Sequence, residues 1–512
     1  MSSSQLLLGA RLPGHGEVVD VRIDGGVVAA IAPSGGLAPA SGDHPEPLLL
    51  DGRWLLPGLW DNHVHFSQWA AVARRLDVSS ARSAAEAVAL VGAAIAGAAA
   101  TSAESGEGLL VGIGFRDALW SDLPTATALD SVSRGRPVVL ISADLHCCWL
   151  NTAALTAFGL AGHAEGGQAD GGHAGGGHTD GVLREDEAFA VHRALDDVPT
   201  ATVDSWALDA AHAAAARGVV GIVDLEMAWN HEVWSRRAAA GHDLLRVEFG
   251  VYPQHLDRAI EEGLRTGTRV TDLVSVGPFK VITDGSLNTR TAFCFDEYPG
   301  LEGRPESRGV LNVAPGALRE LLERASRSGF SSAVHAIGDH ANRLALDAFE
   351  AVGCSGSIEH AQLLAEEEFA RFAALGITAS MQPEHALDDR DVADRFWAGR
   401  TGRAFALAAL LDAGAELSLG SDAPVAPLDP WVTLAAAVGR ERDGREAWHP
   451  EQRIPVAAAL AASSRGRARV AVGDVADLVA VDRDPLSASP DELRGMPVAL
   501  TLLAGRTTHS TL

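Results

Sequence analysis

The chain has 512 residues, with 67 acidic against 41 basic side chains and a formal net charge of -26. Its 47% hydrophobic and 21% charged residues are those of a globular protein with a sizeable core, which excludes wholesale disorder. The acidic balance argues against nucleic acid or an anionic membrane surface as the main partner, because both call for a basic face.

No apolar run approaches the roughly 18 residues of a membrane span without charges or many glycines. Residues 1–30 lack the basic start, apolar stretch and small-residue cleavage site of a secretory signal. Cys147, Cys148, Cys294 and Cys354 are spaced as neither a disulfide framework nor a CxxC metal motif. A reduced, cytoplasmic setting is expected. Of the 41 Lys and Arg residues a single one, Lys280, is lysine. Where charge alone matters, arginine serves; a buried lysine, unlike arginine, can lose its proton and act as nucleophile or ligand. The alternative is chance survival of one lysine codon.

Residues 1–56 alternate short apolar runs with Gly and Pro turns (LLLGARL, EVVDVRI, GVVAAIA, PLLLDG, RWLLPG), the pattern of a small antiparallel β-unit. The run Pro57-Gly58-Leu59-Trp60-Asp61-Asn62-His63-Val64-His65 follows. An apolar strand leads there into two histidines spaced i, i+2, whose side chains fall on one side and can share a divalent metal. Residues 68–135 hold an alanine-rich helical stretch and a loop, read as an insertion after this strand. Residues 161–181 are glycine-rich with His163, His173 and His178, either a mobile loop or a lid and metal trap.

Beyond these, short strands alternate with amphipathic helices: GVVGIVDLE (218–226), VGPFKVITDG (276–285), SSAVHAIGD (331–339), GSIEHAQ (356–362), GITASMQP (376–383) and AELSLGSD (415–422), with helices over 317–329 and 365–376. This alternation predicts a parallel α/β fold, and its length fits a TIM-like (β/α)8 barrel over 57–460 with insertions around 68–135 and 161–181. DVADLVAVD (474–482) and VALTLLAGRTT (498–508) resemble the N-terminal unit, so 1–56 and 461–512 are expected to form one composite β-sandwich. Lys280, His335, His360 and Asp422 stand at or near predicted strand ends, on the face where barrel enzymes carry their chemistry. Singly, each has a structural explanation; together with His63 and His65 they form one ordered set.

The ordered motifs resemble the metal-dependent amidohydrolase superfamily, in its amidohydrolase-3, YtcJ-like branch. The resemblance rests on PGLWDNHVH, SADLHCCWLNTAAL (142–155), FKVITDGSLNTRTA (279–292), VHAIGDHAN (334–342), IEHAQ (358–362), SMQPEHA (380–386) and LGSDAPV (419–425). It implies that His63 and His65 bind the more buried metal and His335 and His360 the second. Lys280 is implied as the bridging ligand, as a carbamate; the rival is an uncarboxylated Lys280 that acts as a neutral amine ligand or orients substrate beside a single metal. Asp422 is implied as catalytic acid/base and metal contact. One or two divalent ions, zinc above all, are the implied cofactor. Asn62 and the Cys147-Cys148 pair depart from the usual pattern.

His146 and His385 are candidate electrophilic donors to a substrate carbonyl, or plain loop residues. Trp60, Trp149 and Arg290 are candidate substrate contacts. Eleven tryptophans against two tyrosines suggest an apolar, aromatic-lined cavity. The expected activity is hydrolysis of an amide-type C–N bond in a small, largely apolar molecule, with an N-formyl or N-acyl amine as the family-implied example. A deaminase, a cyclic-amide hydrolase and a non-catalytic binding protein are the alternatives. The resemblance leaves room for a homodimer, since family members are often dimers, but no interface stripe stands out in the sequence.

Overall fold

The computed structural model describes residues 4–37, 46–101, 108–115, 117, 120–142, 147–160, 181–184, 186–196 and 198–512. Most of the Gly/His-rich stretch, with His163, His173 and His178, lies outside the described residues, as does His146. The described chain divides into two compact units, 1–69 with 207–512, and 70–206.

The first unit contains an eight-stranded parallel sheet that closes nearly into a barrel. Its strands, in chain order and spatial order alike, are Leu59–Val64, Val219–Asp224, Arg246–Val251, Val274–Ile282, Ser332–Ala336, Gly356–His360, Ile377–Met381 and Leu417–Leu419. The runs are short and apolar because a barrel strand is buried on both faces. The eighth strand returns to the first just beyond its end: Asp422 N donates to His63 O at 2.7 Å and His65 N to Ala423 O at 2.8 Å.

The connecting helices have explicit starts and stops. Proline at the first helical position opens Pro315–Arg327, which buries Leu318, Leu322 and Ala325 at i, i+4 and i+7. Gly353, at φ 67°, ends Asp339–Val352, a conformation that glycine reaches without a Cβ penalty.

Both chain ends supply a second sheet. In spatial order its strands are Arg506–Ser510, Val498–Leu503, Leu478–Val481, Trp54–Pro57, Ser4–Arg11, Val18–Asp24 and Val27–Pro33, with Leu48–Leu49 paired to Ser4–Arg11. The sheet folds over itself, so Val21 and Ile23 share one core with Leu500 and Leu502. Val28 N reaches Asp474 O at 2.8 Å. Pairing of Leu55 with Ala480 splices the two chain ends directly.

The 70–206 unit carries a five-stranded sheet, Val182–Arg184, Cys147–Leu150, Val138–Ser142, Leu110–Phe115 and Leu76–Asp77 in spatial order. It also contains helices Ala84–Thr101, Ala126–Ser133, Thr152–Ala157 and Asp186–Asp196. The expected helix and loop over 68–135 are therefore joined by strands. Val91, Phe115, Leu129 and Trp149 lie in its own core.

Candidate metal centre

The set of histidines, lysine and aspartate assembles at the C-terminal ends of the barrel strands. His63 lies in the first strand and His65 directly follows it. Lys280 lies in the fourth strand, His335 in the fifth, and His360 ends the sixth. His385 opens the short helix His385–Asp388 after the seventh, and Asp422 follows the eighth.

Asp422 is the hub. Its Oδ1 lies 3.5 Å from His63 Nε2 and 3.4 Å from His65 Nε2, and its Oδ2 lies 3.9 Å from His385 Nε2. The His360 ring is centred 4.9 Å from that of His63, 4.5 Å from that of His335 and 6.2 Å from that of His385. His63, His65 and Asp422 form one group whose ligand atoms lie within 4.8 Å of one another, and His360, His385 and Asp422 form another.

These residues fit a divalent metal. His65 Nδ1, Lys280 Nζ, His335 Nε2, His360 Nδ1 and His385 Nε2 are all buried with no hydrogen-bond partner among the described residues. Each such orphan costs about 1–3 kcal/mol, and a shared cation would repay that loss at several of them together. Imidazoles with a carboxylate are the donor set that borderline divalent ions take.

The electrostatics prepare the donors. Burial pulls His335 down to about 3 and His360 well below the usual imidazole range, leaving both neutral with a lone pair to give. Burial alone would raise Asp422, but His63, His65, His360 and His385 hold it well below the usual carboxylate range. Burial draws Lys280 down to about 8, against the opposing pull of Glu359 and Asp422.

The backbone is strained at two of these positions. His360 has φ 72° and Asp422 φ 57°, left-handed conformations that cost a residue with a Cβ about 1–3 kcal/mol. The close return of the eighth strand depends on Gly420, where a Cβ would stand 2.7 Å from His63 N and 2.9 Å from Asp61 Oδ1.

A second layer of buried acids orients the first. Glu359 Oε2 lies 2.6 Å from His63 Nδ1, and the Ser357 hydroxyl donates to Glu359 Oε1. Burial alone would raise Glu359, yet the hydrogen bond to His63 and the Lys280 charge bring it down to about 2. A carboxylate on one imidazole nitrogen sets the tautomer and aims the other nitrogen at the ion. Asp61 accepts from Ser421 N at 2.9 Å and from His63 N at 3.2 Å. Asp284 accepts from Gly338 N and Phe293 N at 2.9 Å and from Ile337 N at 3.1 Å, and its Oδ1 stands 3.4 Å from His335 Nε2. Sequence reasoning passed over all three acids. Asp61 stands two residues before His63 and Glu359 directly before His360, but a carboxylate so placed carries no motif of its own.

The remaining sequence candidates fall elsewhere or lie outside the description. Trp60 sits in the first half of its strand, packed on Gly221 and with Val220 and Leu503, and the Arg465 guanidinium lies 4.2 Å above its ring. The barrel floor, not a substrate wall, holds it. Trp149 is fully buried in the core of the 70–206 unit, its indole donating to Thr125 O at 2.9 Å. Arg290 lies in a turn at φ 57°, its guanidinium 5.4 Å from the Phe396 ring. His385, proposed only as an electrophilic donor, stands within the ligand cluster itself.

Comparison with known proteins agrees with this architecture. The chain is 29% identical over 463 residues to Protein LONG AFTER FAR-RED 3 of Arabidopsis thaliana, covering 85% of this chain and 77% of that one. It is 26% identical over 519 residues to N-substituted formamide deformylase of Arthrobacter pascens, covering 95% and 94%. Its fold matches that of an uncharacterized metal-dependent hydrolase from Pyrococcus horikoshii OT3, with a TM-score of 0.74, 23% identity and coverage of 96% and 99%. The amidohydrolase family profile matches residues 50–509, and the chain belongs to that family.

Proposed function

We propose that the chain is a metal-dependent hydrolase of an amide-type C–N bond, acting on an N-formyl or N-acyl amine of a small, largely apolar molecule. The observation that carries this reading is the convergence of His63, His65, His335, His360 and Asp422 with unpartnered, buried Lys280 at one barrel end. The likeness to a formamide deformylase over nearly the whole chain supports the substrate class.

His63 and His65 would hold one ion, and His335 and His360 a second. Lys280, carboxylated, would bridge them, and Asp422 would contact the first. When bound, zinc or a similar divalent ion supplies Lewis acidity, activating water and polarising a carbonyl. Asp422 Oδ1 faces two imidazoles while its Oδ2 turns toward His385. Held as a carboxylate, it accepts a proton from the attacking water and delivers it to the leaving nitrogen. His385 is placed to steady the carbonyl oxygen as charge develops on it. Glu359 keeps His63 in one tautomer throughout. A mononuclear deaminase has no use for a bridging lysine, so Lys280 favours the hydrolase. The four cysteines are free and buried, as suits a reduced, cytoplasmic compartment.

The test is turnover of a panel of N-substituted formamides and N-acyl amines by protein loaded with zinc, read as release of formate or the carboxylic acid. Release that is abolished in Asp422→Asn supports the reading. Turnover of aminopyrimidines or aminotriazines to ammonia, with no acid released from any amide, would replace it with the deaminase.

A further inference from the structure

Barrels of this architecture are ordinarily filled below the active site by layers of bulky branched side chains. This one contains a cavity of about 230 Å³ there. Its wall mixes the hydroxyls of Ser332, Ser357, Thr378, Ser380 and Ser418 and the Glu359 carboxylate with apolar surface from Val223, Leu225 and Pro278. The hydroxyls of Ser332 and Ser380 are buried without a hydrogen-bond partner among the described residues. A polar cavity with room for several waters is hydrated, whereas only apolar ones stay dry.

The cavity has two ends. At the N-terminal side its lining includes exposed Thr266 and half-buried Gly356. Exposed Arg465 lies at this rim, paired with Glu248 at 2.7 Å. At the other end Glu359, which lines the cavity, bonds to His63 of the metal centre. Pro278, one pleat before Lys280 on the same strand, also lines it. In the register of the sheet Lys280 is level with Ala333, Ala333 with Ser357, and Ser357 with Thr378. Ser357 and Thr378 in that row line the cavity, Ala333 and Lys280 do not, and the side chain between Ser357 and the lysine is a single methyl.

We propose that this hydrated cavity is a rear entrance to the barrel, through which carbon dioxide reaches Lys280 without passing the substrate mouth. The inference rests on the reading of Lys280 as a carboxylated bridging ligand. The neutral amine forms a new N–C bond to the carbon of CO₂. One C=O π pair moves onto oxygen, and the amine proton leaves to water in the cavity, giving a carbamate anion.

The test uses the full-length protein after metal and carbamate are removed by chelation at mildly acidic pH. Isotope-labelled bicarbonate is then added near neutral pH, and the carbamate carbon is followed by NMR. Ser418→Phe plugs the cavity from the eighth strand without touching the cluster. It should reach the wild-type end level about tenfold more slowly, equivalent to about 1.4 kcal/mol of barrier. Thr378→Phe supplies the same plug from the seventh strand should the first variant not fold. Arg465→Ala, which opens the rim, should label at least as fast as wild type. Equal rates in plugged and wild-type protein overturn the rear entrance and leave the carbamate intact. No label in the wild type overturns the carbamate reading, and this inference with it.

Discussion

Asp422 meets three imidazoles, two at the end of the first barrel strand and one at the start of a short helix, and its carboxylate form is stabilised by all of them. Asp422→Asn keeps the shape and removes the proton acceptor. The expected loss in kcat is roughly 10²–10⁴-fold, the range of general acid–base catalysis, measured on zinc-loaded protein against the best substrate of the amide panel. An unchanged kcat would contradict the acid/base role. Glu359 acts at one remove, through His63. Glu359→Gln should weaken metal affinity by about 10–100-fold, as for other partners of metal-bound histidines, with kcat at saturating metal far less affected. Competition with a chromogenic chelator measures it. An unaltered affinity would make Glu359 a plain core acid.

The turn that carries His385 is fixed from elsewhere in the fold. Glu384, just before His385, is buried and accepts from Arg442 Nη1 at 2.6 Å and from Arg494 Nη1 and Nη2 at 3.0 and 3.1 Å. It thereby ties the turn after the seventh strand to the helix Pro490–Arg494. Glu384→Ala should cost about 2 kcal/mol, below the roughly 3–5 kcal/mol of a fully buried pair because both guanidiniums reach solvent. Denaturant unfolding reads this; a loss under half a kcal/mol, on the order of a surface ion pair, would show that the tie is idle.

At this scale the sequence was informative where one residue type does one job. Strand and turn coincide in PGLWDNHVH and in LGSD, so the placement of His63, His65 and Asp422 at strand ends could be read directly. The amphipathic helix expected over 317–329 was equally plain and is observed over Pro315–Arg327. The five-stranded sheet of the 70–206 unit was hidden. Its strands LVGIGF and VVLIS sit among alanine-rich helices, and apolar runs this short do not distinguish strand from buried helix. Glu359 went unread because a carboxylate in a strand carries no motif until its partner imidazole is known. The misplacement of Trp60 has a like cause: proximity in sequence to His63 says nothing of depth along the barrel.

Over the whole molecule, a bound metal would belong to the folded state alone, since the candidate ligands come together from residues 63 to 422. Metal in thousandfold excess over its dissociation constant therefore adds about 4 kcal/mol of stability. Exhaustive chelation should lower Tm by several degrees and added zinc should restore it, followed by differential scanning fluorimetry. An unchanged Tm would mean that the cluster is held without a cation. The barrel itself was legible from the alternation of strand and helix, because every turn of the fold repeats one physical unit. Joining of the two chain ends was legible as well, since neither half is large enough to bury its own apolar face.

The most direct measurement is metal per chain, by elemental analysis, for wild type and Lys280→Ala purified side by side with bicarbonate and without chelators. A bridged centre predicts about two equivalents in the wild type and about one or fewer in the variant. Two equivalents retained in Lys280→Ala would contradict it, for then the single lysine of the chain bridges nothing.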